Sequence, residues 1–448
     1  MKTYDYIFIG SGPVITGAQP DLIASHKRVL VIESDTYGGT CPNTGCEPKI
    51  FLEGTIKTIL TARKLADRGV AGEPTVDWKQ LMAAKQAAFK PYSEIAKRDF
   101  ERSGFDVVHG TGSFVDAHTV SVNDETYTAK TIIVATGERA NSLPIPGAEY
   151  LKTNEDVFNL ATLPKHVVFI GAGYIGLELA TVLHTAGAQV DIVEGLDRAL
   201  GAFDAEHVKV VVDEMAKRGI NFHFNEPVKA VTKQGNSYRV ETSTGSHFDA
   251  DYVVNVTGRV SNVESLNLDQ AGIKFDRHGI LVDDHMRTNV SGVYAAGDVV
   301  SKDPAVALKL APYSNLEGRY IVKQLEAGTD EPLVYPLAAS IAFTYPEIAQ
   351  TGVSVATAKA NPAKYSVKEV KFDQNFDYLG AGDDLARATL VFDEKHQLVG
   401  ASEVGQQAAD DINDFATVIG FKLNEAKMKE TVAYAFPSLI AKIPALLV

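Results

Sequence analysis

Short, largely apolar runs that end in glycine recur along this chain, and each is followed by a helical pattern. Such runs lie at residues 4–10 and 166–171, and a second apolar run follows each helical segment. Apolar runs of this length that are bounded by turn residues predict strands. The pattern therefore predicts an α/β fold with two Rossmann-like βαβ units.

The two predicted units are copies of each other. Glu33 lies 23 residues after Gly10, and Glu194 lies 23 residues after Gly171. In each copy, a strand, a glycine turn, a helix and a second strand end on a carboxylate, which is the arrangement that binds a dinucleotide. Residues 132–137 and 252–258 also resemble each other, because each closes an apolar strand on Thr-Gly. The duplication predicts two nucleotide-binding domains.

The same patterns predict three domains. The first comprises residues 1–148 and 268–333, the second comprises residues 149–267, and a C-terminal α+β domain comprises residues 334–448, after a linker near 330–336. Further elements are predicted as helices near 50–68, 77–103, 306–326, 408–419 and 423–431, and as strands at 293–296, 365–373, 387–393 and 397–402.

The first glycine turn has two of the three small residues of a dinucleotide fingerprint. Gly10 permits the tight turn, and Gly12 lets a pyrophosphate approach the backbone at a helix N-terminus. Ile15 occupies the third position, where a small residue is usual, and Pro20 should kink the helix that follows. Glu33 is placed to bind a ribose hydroxyl.

The second glycine turn is complete, with Gly171, Gly173 and Gly176. Glu194 at the end of the next strand favours a ribose 2′-hydroxyl and repels a 2′-phosphate, so NADH is expected rather than NADPH. Arg198 lies four residues further on and could accommodate that phosphate, which leaves NADPH open.

Two cysteines, Cys41 and Cys46, follow the first turn and are the only ones in the chain. Cα atoms five residues apart in a straight helix are roughly 8–9 Å apart, whereas a disulfide needs about 4.4–6.8 Å. Pro42, Gly45 and Pro48 are residues that distort a helix. The spacing therefore predicts a redox-active dithiol, and the alternative is two buried, inert thiols.

Charge and composition exclude several classes of protein. The formal net charge of the 448 residues is −14, and no run is rich in Lys or Arg, so neither nucleic acid nor an anionic membrane is an expected partner. No apolar run reaches the ~18 residues of a membrane span, and the N-terminus lacks the features of a signal peptide. Two cysteines cannot form a secreted disulfide scaffold of this size, so a cytoplasmic enzyme is expected.

Several motifs occur in the order found in one family. Residues 41–48, 133–138, 288–298 and 342–349 resemble, in turn, the redox disulfide, the Ala-Thr-Gly segment, the second flavin motif and the start of the dimerisation domain of the FAD-dependent pyridine nucleotide–disulfide oxidoreductases. The resemblance covers essentially the whole chain. It implies an FAD domain, an NAD(P) domain and a C-terminal α+β dimerisation domain in a homodimer.

The resemblance also implies roles for individual residues. Cys46 would be the flavin-proximal thiol, and Cys41 the interchange thiol that attacks substrate. Lys49 would pair with Glu178 near the flavin, and Tyr174 would gate the nicotinamide pocket. No metal site is implied. The residues that would bind FAD are Gly10, Gly12, Pro13, Glu33, Gly39, Thr40, Lys49, Thr136, Gly137, Gly297 and Asp298, and those that would bind NAD are Gly171, Gly173, Tyr174, Ile175, Gly176, Glu194 and Gly258.

The C-terminal segment departs from the family pattern. A catalytic His from the partner subunit and a following Glu are usual there, but Phe436 and Ala441 occupy these positions. Loss of a general acid typically costs about 10²–10⁴ in rate. Tyr434 is a poor substitute, since a phenol titrates near pKa ~10. The transfer from thiol to substrate therefore stays open.

Three functions are compatible with these observations. The first is a homodimeric FAD enzyme that oxidises NADH and reduces a small-molecule or protein disulfide through Cys41 and Cys46. The second is a reductase of a non-thiol acceptor, such as a quinone, a metal ion or an oxidant. The third is a flavin-binding redox sensor without catalysis, in which Ile15, Pro20 and Phe436 mark lost activity.

Overall fold

The computed structural model describes residues 2–304 and 307–448. The helices are α1 (Pro13–Ser25), α2 (Thr40–Thr44), α3 (Cys46–Lys64), α4 (Trp78–Phe89), α5 (Tyr92–Arg102), α6 (Asn154–Phe158), α7 (Tyr174–Thr185), α8 (Ala205–Lys217), α9 (Leu268–Ala271), α10 (Ala311–Ala327), α11 (Val355–Ala360), α12 (Phe376–Gly380), α13 (Ala408–Gly420), α14 (Glu425–Thr431) and α15 (Leu439–Leu446). The strands are β1 (Lys2–Ile9), β2 (Val29–Glu33), β3 (Asp106–His109), β4 (Ser113–Asp116), β5 (Thr119–Val122), β6 (Glu125–Val134), β7 (Glu138–Ala140), β8 (His166–Ile170), β9 (Gln189–Val193), β10 (Asn221–His223), β11 (Val228–Gln234), β12 (Ser237–Thr242), β13 (His247–Ala250), β14 (Tyr252–Asn255), β15 (Arg259–Ser261), β16 (Phe275–Asp276), β17 (Gly279–Ile280), β18 (Val293–Ala295), β19 (Ala339–Ala342), β20 (Glu347–Gly352), β21 (Tyr365–Lys371), β22 (Arg387–Asp393) and β23 (Leu398–Gly405).

The chain forms two compact units, and each contains several segments of sequence. The first unit comprises Met1–Lys49, Ala83–Asn141 and Gly258–Tyr335, and the second comprises Ile50–Met82, Ser142–Thr257 and Pro336–Val448. The predicted division into three domains stays a prediction.

A seven-stranded sheet forms the centre of the first unit. Its order is β3-β2-β1-β6-β5-β4, and β18 pairs with β6. Strands β3, β2, β1, β6 and β18 are parallel, whereas β4 and β5 are antiparallel to their neighbours. Along β1, Ile7 and Ile9 pack into one apolar core and Tyr6 and Phe8 into another. This strand is therefore buried on both faces, as is typical of parallel sheets.

Helices α1 and α10 approach each other closely at two glycines of the first unit. A Cβ on Gly17 would lie 2.1 Å from the carbonyl oxygen of Asn315, and one on Gly318 would lie 1.9 Å from that of Val14. Only glycine permits backbones to approach to this distance. The sequence patterns did not predict this contact.

The two unusual residues of α1 have separate locations. Ile15 is fully buried in the apolar core that lies against α1. Pro20 lies within the helix at an exposed position, and α1 continues through it to Ser25.

Three sheets form the second unit. The first is parallel, with the order β10-β9-β8-β14, and the second is an antiparallel sheet of β11, β12 and β13. The third is antiparallel, with the order β19-β20-β23-β22-β21. Helix α13 covers this last sheet, because Ile412 and Phe415 share a core with Leu390 and Phe392.

Most predicted elements are present. Strands β21, β22 and β23 and helices α13 and α14 match the predicted C-terminal elements, and the α/β class is confirmed. The helix predicted at about 306–326 is α10, which begins at Ala311, and part of the predicted range lies outside the described residues. In the described part of the chain, no helix has the length and apolar character needed to cross a bilayer.

Candidate active site

The turn after β1 brings two glycine backbones together. Gly10 has φ +110°, and a Cβ there would lie 2.2 Å from the carbonyl oxygen of Ala135. Gly12 lies beside Gly39, since a Cβ on Gly39 would come within 2.8 Å of the Gly12 Cα. Helix α1 begins at Pro13. The result is a side-chain-free cradle at the N-terminus of a thirteen-residue helix, which is suited to a phosphate group.

Glu33 connects this turn to the loop that follows β2. Its Oε2 accepts hydrogen bonds from the Ser11 N–H at 3.1 Å and the Ser11 hydroxyl at 2.6 Å, and its Oε1 accepts one from the Asp35 N–H at 2.9 Å. The Ser11 hydroxyl in turn accepts a hydrogen bond from the Gly38 N–H at 3.0 Å. Glu33 is therefore held in a fixed orientation, which its predicted role at a ribose requires.

The two cysteines lie on either side of a helix break. Helix α2 ends at Thr44, and α3 begins at Cys46. Between them, Gly45 packs so closely that a Cβ would lie 2.9 Å from the Thr40 carbonyl oxygen and 3.3 Å from the Cys41 Cα. The break therefore folds Cys46 back towards Cys41, as the Gly/Pro framing predicts.

Asn43 holds this loop in place. Its side-chain amide donates hydrogen bonds to the carbonyl oxygens of Tyr37, at 3.0 Å, and Gly39, at 2.8 Å. Sequence reasoning missed this residue. Its position between a proline and a glycine, where Asn often bonds to nearby backbone, was the available signal.

Both cysteines are free thiols, and their side chains are joined by a hydrogen bond. A hydrogen bond from Cys41, helped by the charge of Lys49 and opposed by burial, lowers the pKa of Cys46 to about 7. The same hydrogen bond, followed by burial, raises the pKa of Cys41. Cys46 is thus the thiolate and Cys41 the thiol that donates to it. A thiolate is the reactive form of a cysteine, and the flavin-proximal role of Cys46 stays a prediction.

The second glycine turn uses its three glycines differently. Gly171 has φ +108°, and a Cβ there would lie 2.8 Å from the Val256 carbonyl oxygen. A Cβ on Gly176 would lie 2.7 Å from the Gly171 carbonyl oxygen, so this glycine permits close helix–strand packing. A Cβ on Gly173 would meet nothing within 4 Å. Gly173 therefore leaves an open backbone surface where α7 begins.

The carboxylate and the guanidinium near this turn point to different partners. Glu194 Oε2 accepts a hydrogen bond from the Ala172 N–H at 2.6 Å, and its Oε1 accepts one from the Leu196 N–H at 2.9 Å. Arg198 instead donates to the carbonyl oxygens of Phe203, at 3.1 Å, and Gly201, at 2.6 Å. The carboxylate is therefore fixed at the turn, and the guanidinium is engaged by backbone.

Comparison with protein families identifies this arrangement. Residues 4–318 match the pyridine nucleotide-disulphide oxidoreductase family, and residues 338–442 match its dimerisation domain. The chain belongs to this family. It is therefore an NAD(P)H-dependent flavoprotein oxidoreductase.

Curated relatives extend over nearly the whole chain. A dihydrolipoyl dehydrogenase of Chlamydia pneumoniae is 30% identical over 98% of this chain and 95% of its own length. A glutathione reductase of Burkholderia cepacia is 29% identical over 96% of each chain. A mercuric reductase of Bacillus cereus is 29% identical over 96% of this chain and 69% of its own length.

The first unit fits the FAD that this family binds. Asp298 Oδ1 is buried and has no hydrogen-bond partner among the described residues, so an acceptor is available for a ligand hydroxyl. The adjoining Gly297 has φ +78°, and its N–H donates to the buried Glu317 at 2.6 Å. With the cradle at Gly12 and Gly39, these groups would offer a bound FAD a phosphate site and an acceptor for a hydroxyl within one unit.

Thr136 and Gly137 are held by a residue that sequence reasoning missed. The Thr136 hydroxyl donates to the Asn262 carbonyl oxygen at 2.7 Å, and the Asn262 amide donates to the Thr136 carbonyl oxygen at 2.9 Å. Gly137 has φ +65°, and a Cβ there would meet nothing within 4 Å. The Thr136 side chain thus holds the backbone of Asn262 in place. No spacing in the sequence indicated that Asn262 would lie here.

The remaining predicted site residues lie in different units. Glu178, on α7 of the second unit, is buried and accepts a hydrogen bond from the Phe343 N–H at 2.9 Å. Tyr174, at the start of α7, is exposed. Lys49 and Gly258 belong to the first unit. The pairing of Lys49 with Glu178 and the role of Gly258 at the nicotinamide stay predictions, as do the assignments of Thr40 and Ile175.

The segment that departs from the family pattern is largely exposed. The Phe436 side chain is 77% exposed, whereas Tyr434 packs against the core of the dimerisation domain. Ala441 lies in α15. An exposed phenyl group cannot donate a proton, so this position supplies no general acid.

The lowered pKa of Cys46 leads to a prediction for the reduced protein. Because the thiolate is the nucleophile, alkylation of Cys46 by iodoacetamide should rise with pH and reach half its maximum at about 7. In Cys41→Ala, loss of the donated hydrogen bond should move the midpoint upward. Trypsin leaves both cysteines on one peptide, residues 29–49, so fragmentation of that peptide in the mass spectrometer shows which cysteine carries the label. A wild-type midpoint at the ordinary cysteine pKa, near 8.5, would contradict the assignment.

Proposed function

We propose that this protein oxidises NADH and reduces a disulfide acceptor through the Cys41–Cys46 pair. The observation that carries the proposal is the hydrogen bond between the two thiols, with the pKa of Cys46 lowered and that of Cys41 raised. When bound, FAD would carry two electrons from the nicotinamide to the disulfide of this pair. A homodimer and a cytoplasmic location are parts of the same proposal.

The reduced pair can carry out exchange with its own groups. The Cys46 thiolate takes the proton from Cys41, and the Cys41 thiolate attacks one sulfur of the acceptor. The acceptor S–S bond breaks, a mixed disulfide forms on Cys41, and the first acceptor thiolate leaves. Cys46 then attacks the Cys41 sulfur, which re-forms the protein disulfide and expels the second thiolate.

Cys46 also supplies one of the two protons that the products need. After it accepts the Cys41 proton, Cys46 is a thiol; the hydrogen bond from Cys41 then no longer lowers its pKa, but the charge of Lys49 still does. It can pass this proton to the first leaving thiolate before its own attack, and the second thiolate takes a proton from solvent. This route needs no histidine, which is consistent with Phe436 at that position.

The contacts of Glu194 and Arg198 support NADH over NADPH. Glu194 is fixed at the glycine turn by two backbone N–H groups, so a 2′-phosphate would meet a negative charge. Arg198 could offset that charge, but its guanidinium donates to two carbonyl oxygens. A phosphate would have to compete with those bonds.

A non-thiol acceptor is the second candidate function. The exposed Phe436 favours it, because a quinone or a metal ion leaves no thiolate that needs a proton. Such an acceptor could take electrons without forming a bond to Cys41, so the two candidates differ in their need for this thiol.

Anaerobic titration tests the proposal. One equivalent of NADH supplies two electrons, which should pass through the flavin to the disulfide, so the count of titratable thiols should rise by two per chain while the flavin band is largely retained. NADPH should act more slowly by about tenfold or more, since one charge repulsion of roughly 1.4 kcal/mol gives that factor. The control is the same thiol count on protein alkylated after reduction. Bleaching without new thiols would contradict the disulfide route, and equal rates would contradict the NADH preference.

A further inference from the structure

Two carboxyl groups meet inside the dimerisation domain, and no Lys or Arg among the described residues pairs with either of them. Glu403, on β23, is 0% exposed, and neither of its oxygens accepts a hydrogen bond from another donor among the described residues. Its carboxyl group lies within hydrogen-bonding reach of Asp411, on α13, which is 8% exposed. Two ionised carboxylates would repel each other in this dry setting. The contact therefore requires a proton.

The strand register explains why no other partner reaches Glu403. Glu403 pairs with Ala349 of β20 and with Ala388 of β22, and both alanines are buried. Their methyl groups leave room for a carboxyl group but donate no hydrogen bond. Because side chains alternate along a strand, the neighbouring Ser402 lies on the other face. There its hydroxyl bonds to His207 Nδ1 at 2.9 Å, so His207 does not serve Glu403.

The contacts of Asp411 indicate which group holds the proton. Asp411 Oδ2 accepts a hydrogen bond from the Tyr378 hydroxyl at 2.6 Å. Asp411 also lies in the first turn of α13, where the helix dipole stabilises negative charge. Glu403 has neither advantage. Asp411 is therefore the acceptor, and Glu403 is the acid that donates to it.

The other charged groups nearby reinforce this assignment. Burial raises the pKa of Glu403 well above its usual range, and the charges of Asp411, Asp383 and Glu347 raise it further. Burial likewise raises the pKa of Asp411 to about 6. Three lysines of the same unit pair with other carboxylates, Lys57 with Glu347, Lys64 with Asp384 and Lys442 with Asp377.

We propose that Glu403 is a protonated carboxylic acid at neutral pH and that its hydrogen bond to Asp411 makes the closure of α13 on the sheet depend on a proton. The packing of α13 against β23 would then be stabilised by a proton within the dimerisation domain.

The sign of the pH dependence follows from the raised pKa of Glu403. Its stabilisation is fully present below the ordinary Glu pKa of about 4.3, and it is lost as pH rises through the folded-state value. Between these two values Glu403 keeps in the folded protein a proton that it has lost in the unfolded chain, in addition to the proton that Asp411 keeps below about pH 6. The contribution of Glu403 should therefore raise the unfolding constant of the protein about tenfold for each pH unit in that range.

Glu403→Gln tests the proposal in the holoprotein. Glutamine keeps the size of the side chain and can donate to Asp411 without titrating. In urea unfolding at a series of pH values, the ratio of the wild-type to the variant unfolding constant should rise by about tenfold per pH unit above the ordinary Glu pKa. The matched control, Glu394→Gln, changes an exposed glutamate of the same domain and should follow wild type.

Infrared spectroscopy gives a second readout at neutral pH. Wild type should show a protonated-carboxyl C=O band that Glu403→Gln lacks and Glu394→Gln retains. If the amide variant does not fold, Glu403→Met removes the same proton with an apolar side chain of similar length, and both readouts apply to it. Parallel pH curves for wild type and variant would overturn the proposal. An unchanged infrared band, or a stoichiometric bound cation that the variant loses, would also overturn it.

Discussion

Cys41→Ser should lose disulfide reduction by a factor on the order of 10³ or more, while the flavin is still reduced by NADH. A serine hydroxyl is far less acidic than a thiol and cannot form the mixed disulfide, so exchange with the acceptor stops. Steady-state turnover of a small disulfide measures the loss. Stopped-flow absorbance of the flavin band measures the half-reaction that should survive.

Cys46→Ser is the matched control, because it removes the other thiol and leaves the attacking one. This variant should form a mixed disulfide on Cys41 that mass spectrometry detects, since no second thiol is present to resolve it. Retention of disulfide turnover in Cys41→Ser would contradict the proposed route. If only quinone or metal-ion reduction survives in that variant, the acceptor of the second candidate function takes its electrons directly from the flavin.

The two glycine turns could be predicted because the local backbone conformation requires glycine at these positions. Gly10 and Gly171 both adopt positive φ and approach a carbonyl oxygen, which excludes any side chain. The positive φ of a tight turn is a local constraint and therefore shows in the sequence spacing, whereas the approach to Ala135 and Val256 is a contact between distant residues. The helix break at Gly45 was predictable for the same reason, since the framing residues are adjacent to the cysteines.

Contacts between residues far apart in sequence could not be predicted in this way. Asn262 bonds to Thr136 across 126 residues, and Gly318 meets Val14 on a helix 304 residues earlier. Glu403 is a similar case, because a single acidic residue in a strand gives no sign of what faces it. The environment of the Glu403 side chain depends on the pairing of its strand with Ala349 and Ala388.

Ile15 and Phe436 both depart from the family pattern, but the sequence alone predicts the consequence of only one of these departures. Ile15 breaks the fingerprint, yet it is fully buried in the core. The fingerprint states which residue is usual at that position, but it does not give the volume that this particular fold leaves for the side chain. Phe436, by contrast, could be judged from its chemistry alone, since a phenyl group has no proton to donate.

Asp298→Leu should weaken FAD binding by about 10- to 100-fold, the equivalent of one hydrogen bond to a charged group at about 1.5–3 kcal/mol. The reason is the buried Asp298 Oδ1, which has no partner in the described residues and would accept a hydrogen bond from a hydroxyl of the bound flavin. Asp298→Asn retains an acceptor oxygen and should lose less. The flavin-to-protein absorbance ratio and titration of apoprotein with FAD measure the effect.

The same variant should stabilise the protein when FAD is removed. A buried acceptor without a partner costs free energy in the apoprotein, and leucine removes that cost. Asp298→Leu apoprotein should therefore melt at a higher temperature than wild-type apoprotein, although its holoprotein gains less from added FAD. Asp269→Asn, an exposed aspartate of the same unit, should change neither value. An apoprotein melting temperature that falls, together with unchanged FAD affinity, would mean that Asp298 serves the fold and not the cofactor.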